Sequence, residues 1–94
     1  EDLSFEDFIE ELENSRPMYR DQNTLFSYHR EPNDICVYIA GEKYSVTNEQ
    51  SEIIKKYLSG RAMDMIPYDL KELDNDLKKL LFTLYKKGAI FLSE

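Results

Sequence analysis

Histidine and cysteine occur once each in this chain, at His29 and Cys36, and tryptophan is absent. Those scarcities exclude a good deal. A structural zinc site draws on several Cys or His side chains, and the facial triad of an iron(II) centre needs two histidines and a carboxylate. The tripeptide "HRE", His29 to Glu31, has the H-x-E spacing of such a triad, but no second histidine exists to complete it. Cys36 cannot form an internal disulfide, which fits a reducing cytoplasm. Lying in an apolar run, it reads as a small buried hydrophobe rather than a nucleophile. Glycine is found three times, with neither G-x-G-x-x-G nor P-loop spacing; "GEKYS" lacks the upstream glycine. No nucleophile-elbow sequence accompanies the serines. No apolar run approaches the roughly 18 residues of a membrane span. The expectation is therefore a non-catalytic piece with no membrane partner. The sequence opens on Glu1 and leads directly into a helix, so a fragment of a longer protein is expected.

Basic residues are scarce in the first third. Residues 1–34 carry ten acids and three arginines, a net charge of −7, whereas residues 35–94 carry nine acids and nine bases. That break marks two expected units, an acidic helix with its loop at 1–34 and a balanced domain at 35–94. An acidic surface repels phosphate, so DNA is not an expected partner. A basic partner protein fits the arm better.

Ser4 opens "SFED" as an N-cap with Asp7 at the third position. Phe5, Phe8, Ile9 and Leu12 then fall on one helical face, and Pro17 limits the helix to about Ser15. This stripe needs a surface. It packs either on its own domain or on a second domain or copy, and it is the candidate interface. Residues 16–34 are polar and turn-rich, with "LFSYHR" as a short strand and "EPND" as a turn. The run "ICVYIA" at 35–40 lacks alternation and reads as a strand buried on both faces. Gly41-Glu42 is expected to form a two-residue turn with glycine first. "KYSVT" follows, with Tyr44 and Val46 on one face and Lys43, Ser45 and Thr47 on the other. Thr47 to Gln50 is a T-x-x-Q capping box starting a helix whose buried side is Ile53, Ile54, Tyr57 and Leu58. Gly60 is placed to end it. "RAMDMI" is a short extended piece and "YDLKEL" a short helix. Asn75 or a flanking Asp caps a strong helix with Leu77, Leu80, Leu81, Leu84 and Tyr85 inward. Lys86, Lys87 and Gly88 close it, and "AIFL" is a last strand, expected to return to the hairpin.

That order describes an α+β, winged-helix-like domain of hairpin, helices and closing strand, preceded by an amphipathic helical arm. The last helix turns Lys78, Lys79, Lys86 and Lys87 outward. It offers no Arg or Asn ladder for base edges, and Asp74 and Asp76 stand at its leading end, so the lysines read as a solvated face.

"YIAGEKYSV", a capped helix and "LLFTLYKKGAIFLSE", with Leu81, Leu84, Gly88 and Phe91, resemble the C-terminal winged-helix region of bacterial JmjC/cupin-type ribosomal oxygenases, the ribosomal protein arginine hydroxylases. Ala40 stands where the family hairpin often has Asn. "SFEDFIEELENSRP" resembles the acidic helix that precedes that region. The resemblance implies a parent hydroxylase dependent on Fe(II) and 2-oxoglutarate that acts on a large-subunit ribosomal protein. The iron ligands would belong to a JmjC domain outside this sequence, so no catalytic or metal residue is carried across. It also implies an accessory and dimerisation role, with Phe5, Phe8, Ile9 and Leu12 as contact stripe. The implied partners are the JmjC domain, a second copy and a basic ribosomal protein. A second resemblance is to PqqD-like modules, which also place a hairpin before helices and end in L-x-x-L-x-x-x-G. These bind a peptide by strand addition, here on an exposed edge at 35–40 or 43–47.

Overall fold

The computed structural model describes residues 3–21, 26–32, 34–39, 41–58 and 65–93. Helix α1 (Phe5–Glu13) begins at Ser4, whose Oγ accepts from the Asp7 amide at 3.2 Å. It ends in a Schellman motif. The Arg16 amide donates to the Glu11 carbonyl and the Ser15 amide to that of Leu12, with Ser15 left-handed at φ 60°. Strand β1 (Met18–Arg20) follows, then β2 (Phe26–Glu31), β3 (Asp34–Ile39) and β4 (Glu42–Val46). Helix α2 (Asn48–Leu58), a 3-10 turn at Leu70–Glu72, helix α3 (Asn75–Lys86) and strand β5 (Ile90–Leu92) complete the order. This is the expected α+β, winged-helix-like set of elements.

Strands β2, β3 and β4 form an antiparallel sheet in that order. Val37 and Ile39 of the central strand face the core, with Tyr28, Tyr44 and Val46 packed beside them. Cys36 points to the other face and is nevertheless fully buried, opposite His29 and Ser45. The rest of that face is open, with Ser27, His29, Lys43 and Ser45 exposed, so the strand is not buried on both faces; "ICVYI" shows no alternation because Cys36 and Tyr38 are apolar residues on the outer face. Ile39 pairs with Glu42, so the two-residue connection is 40–41 and glycine comes second, not first. Gly41 supplies its φ of +82°. The expected stop at Gly60, most of "RAMDMI" and the end of the 35–40 strand at Ala40 fall outside the described residues.

The last strand does not return to the hairpin. β5 pairs antiparallel with β1, Tyr19 opposite Phe91, and the ladder is prolonged by Asp21 amide to Ala89 carbonyl and Ser93 amide to Pro17 carbonyl, both 2.9 Å. On its other side β1 meets Met65 and accepts from the Ile66 amide at Met18. The expected boundary at residue 34 therefore does not divide the core. Phe8, Leu12 and Met18 lie in the same buried cluster as Ile54, Leu77, Leu81, Leu84 and Ile90. Charge changes along the chain because α1 has a solvated acidic face; its inner face obeys packing alone.

α1 lies on α3 through aromatic rings: Phe8 is 5.1 Å from Tyr85 and 5.7 Å from Phe82, and Phe5 stands edge-on to Phe82 at 5.6 Å. The Tyr68 hydroxyl lies 2.8 Å from the Arg16 carbonyl and 3.2 Å from that of Leu12, which already accepts from Ser15, and so ties the end of α1 to the segment before the 3-10 turn. Tyr57 ties α2 to the 3-10 turn. Its hydroxyl accepts from the Asp69 amide at 2.8 Å and lies 3.2 Å from Glu72 Oε1. Burial pushes this hydroxyl up to about 12. Gly88, at φ +81°, ends α3 with Ala89 amide to Leu84 carbonyl and Gly88 amide to Tyr85 carbonyl.

Replacing Phe8 by Ala removes a fully buried ring and is expected to cost about 3–5 kcal/mol in urea unfolding. Gly88→Ala should cost about 1–2 kcal/mol, because a Cβ is disfavoured in the left-handed region, although open space surrounds it. An unchanged midpoint in either variant would contradict these packing and backbone assignments.

Candidate functional site

The stripe expected to contact a partner is largely used up inside the molecule. Phe8 and Leu12 are 0% and 1% exposed, so they cannot also form an external interface, and that part of the expectation is corrected. Packing on its own domain, the other reading of the stripe, is what the structure has. Phe5 and Ile9 are half-buried at its margin.

The more distinctive surface feature is a groove of about 340 Å³ between β4 and α3. Two clasps position it. At one end Thr47 and Gln50 form the predicted capping box: the Gln50 amide donates to Thr47 Oγ1 at 3.1 Å and the Thr47 amide to Gln50 Oε1 at 2.9 Å. Gln50 then spends its amide group on Asp74, Nε2 to Oδ2 at 3.0 Å. Asp74 is the N-cap of α3 and accepts from the Leu77 amide at 2.8 Å. One glutamine thus joins the starts of two helices. At the other end Lys87 pairs with Glu42, and the Tyr44 hydroxyl donates to Glu42 at 3.1 Å. Because Asp74 lies near Gln50 and Lys87 near Glu42, α3 runs opposite to β4 along the groove.

The groove floor is apolar, made by Tyr44 and Val46 of β4 with Leu77 and Leu80 of α3. Lys43 and Ser45 stand on the strand side, and Asp76, Lys79 and Thr83 on the helix side. β4 is an end strand of its sheet, whereas β3 is paired on both sides. Of the two edges considered for strand addition, 35–40 is therefore closed. The bonds from Lys87 and then Tyr44 hold the Glu42 carboxyl below its usual range. The bonds from Leu77 and then Gln50 do the same for Asp74.

A family model described as ROXA-like winged helix matches residues 1–91. The chain belongs to this family. No curated protein and no solved structure matches the chain. The ROXA-like winged helix runs across residue 34 and takes in α1 and β1, in keeping with their share of the core. The match also bears out the resemblance to the C-terminal winged-helix region of ribosomal oxygenases.

The donor set of this ROXA-like winged helix does not fit an iron(II) centre. Its one histidine is exposed on β2 and stands edge-on to Tyr38 at 5.2 Å, and among the described residues no group of three His, Cys, Asp or Glu could hold a metal ion. Among the described residues no helix is long and apolar enough to cross a membrane. Sequence reading found the capping box and the α3 cap but missed their union through Gln50. The usable signal was a polar residue falling on the inward face of α2, where Gln50 is 8% exposed.

Asp74 carries a pH prediction. Its folded-state pKa lies below the ordinary 3.8, so its contribution is present above that value and disappears as pH falls through the folded pKa. Stability should therefore drop on acidification below about pH 4. Asp74→Asn, which keeps a capping side chain, should flatten that limb in urea titrations. An identical acid limb would contradict the assignment.

Proposed function

We propose that this chain is a non-catalytic accessory domain of an Fe(II)- and 2-oxoglutarate-dependent, JmjC-type ribosomal protein hydroxylase of the cytoplasm. The observation that carries the reading is the ROXA-like match over residues 1–91. Iron and 2-oxoglutarate would be held by a separate cupin-type domain, and the residues of this chain supply no step of that chemistry. Its role is to pack beside the catalytic domain and to support pairing of two copies. After the burial of Phe8 and Leu12, the part of α1 left for such contact is the margin at Phe5 and Ile9. With a net charge of −7, the chain suits a basic protein neighbour better than nucleic acid.

Two measurements test this. An antibody against the chain should detect a polypeptide several-fold heavier than 11.2 kDa in source cells; a band at that mass would contradict the accessory role. In the parent protein, Ile9→Glu should shift a dimer to monomer in light scattering while the circular dichroism spectrum holds. Unchanged mass would remove α1 from the interface.

A second reading, a PqqD-like peptide-recognition module, is favoured by one observation: β4 lies at the end of its sheet beside an apolar-floored groove. Peptide recognition by strand addition needs such an edge.

A further inference from the structure

We propose that Met65 is a modification site, its thioether oxidised to the sulfoxide by a hydroperoxide, and that Tyr19 passes the change to β1 and β5. The site shares no residue with the groove beside β4 and needs no partner protein.

Exposure separates the methionines. Met65 is 60% exposed, the one large apolar side chain that is exposed among the described residues, whereas Met18 is 0% exposed. Met63 falls outside the described residues. A sulfoxide forms where an oxidant reaches the sulfur, so Met65 reacts in the folded protein and Met18 only after opening. Single apolar side chains are common on protein surfaces, and exposure alone would give a reactive sulfur without a consequence. Placement supplies the consequence. Met65 pairs with Tyr19 in an isolated antiparallel bridge, and Tyr19 pairs with Phe91. Directly opposed residues share a face. The thioether and two half-buried rings therefore form one row across β1 and its neighbours, with Tyr19 and Phe91 stacked at 5.7 Å. Next to Met65, the Ile66 amide donates to the Met18 carbonyl at 2.7 Å.

The chemistry is an oxygen transfer. The sulfur attacks the terminal oxygen of the hydroperoxide. An S–O bond forms, the O–O bond breaks, and the proton of the transferred hydroxyl passes to the leaving oxygen, which departs as water or an alcohol. Sulfur loses two electrons and the peroxide gains them. A thiol-dependent sulfoxide reductase reverses the step, two thiols becoming a disulfide and the oxygen leaving as water. The sulfoxide exchanges a soft apolar group, which suits the neighbourhood of an aromatic ring, for a polar one that suits water. Beside Tyr19 that exchange draws residue 65 toward solvent and loosens the bridge to β1, the strand that holds β5.

The test treats the folded 94-residue chain with dilute hydrogen peroxide at neutral pH, and mass spectrometry of peptide fragments follows each methionine. Met65 should oxidise at least about tenfold faster than Met18. Amide NMR should then show shifts centred on Tyr19, Ile66 and Phe91, and the Ile66 amide should exchange with solvent at least about threefold faster. Sulfoxide reductase with dithiothreitol should restore the original spectrum. Met65→Leu should abolish these changes under the same oxidant, and Met63→Leu should keep them. Equal oxidation of Met65 and Met18 would overturn the site. Oxidation of Met65 that leaves Tyr19 and Ile66 unmoved would overturn the coupling to β1. Changes that persist in Met65→Leu would overturn both.

Discussion

The apolar stripe of α1 cannot be left in water, and α3 is the surface that removes it. A nine-residue helix is too short to persist alone, so α1 exists because Phe8 and Leu12 are buried. The dependence runs in both directions. Without α1, the Phe82 and Tyr85 rings, Leu84 and the carbonyl clamp at Tyr68 would lose their cover. β1 follows directly from α1 and carries the pairing with β5, so the beginning of the chain holds its end in place. The three-stranded sheet and α2 complete the core from the other side.

That arrangement decides what remains for function. Intramolecular packing consumes the N-terminal stripe, while the open end of the sheet at β4 is spaced from α3 by clasps at Gln50 with Asp74 and at Glu42 with Lys87. These polar contacts fix the separation of strand and helix, and the groove follows from it. What the packing of this ROXA-like winged helix leaves accessible is the half-buried margin of α1 and the groove beside β4.

Local signals in the sequence were legible because they are enforced locally. Ser4, Thr47 and Gln50 cap as their spacing requires, Gly88 ends α3, and the leucine face of α3 is buried where its period places it. Partner choice was not legible. "MYR" is too short to show a period, and nothing local says that it, rather than the hairpin, receives β5. The charge break at residue 34 misled about the core because acids report the wet face of a helix and say nothing about its dry one. For the site, the exposed edge at 43–47 was anticipated, whereas the groove needed α3 to be placed in space.

The central claim is that residues 1–21 are part of one cooperative core rather than an arm attached to it. The most direct measurement is urea unfolding of the chain with those residues deleted, followed by tyrosine fluorescence and circular dichroism together. Loss of a cooperative transition, with the remaining helices unable to hold a fixed core, is the predicted result. A sharp transition with native-like helix content would contradict the account and restore a free-standing domain at 35–94.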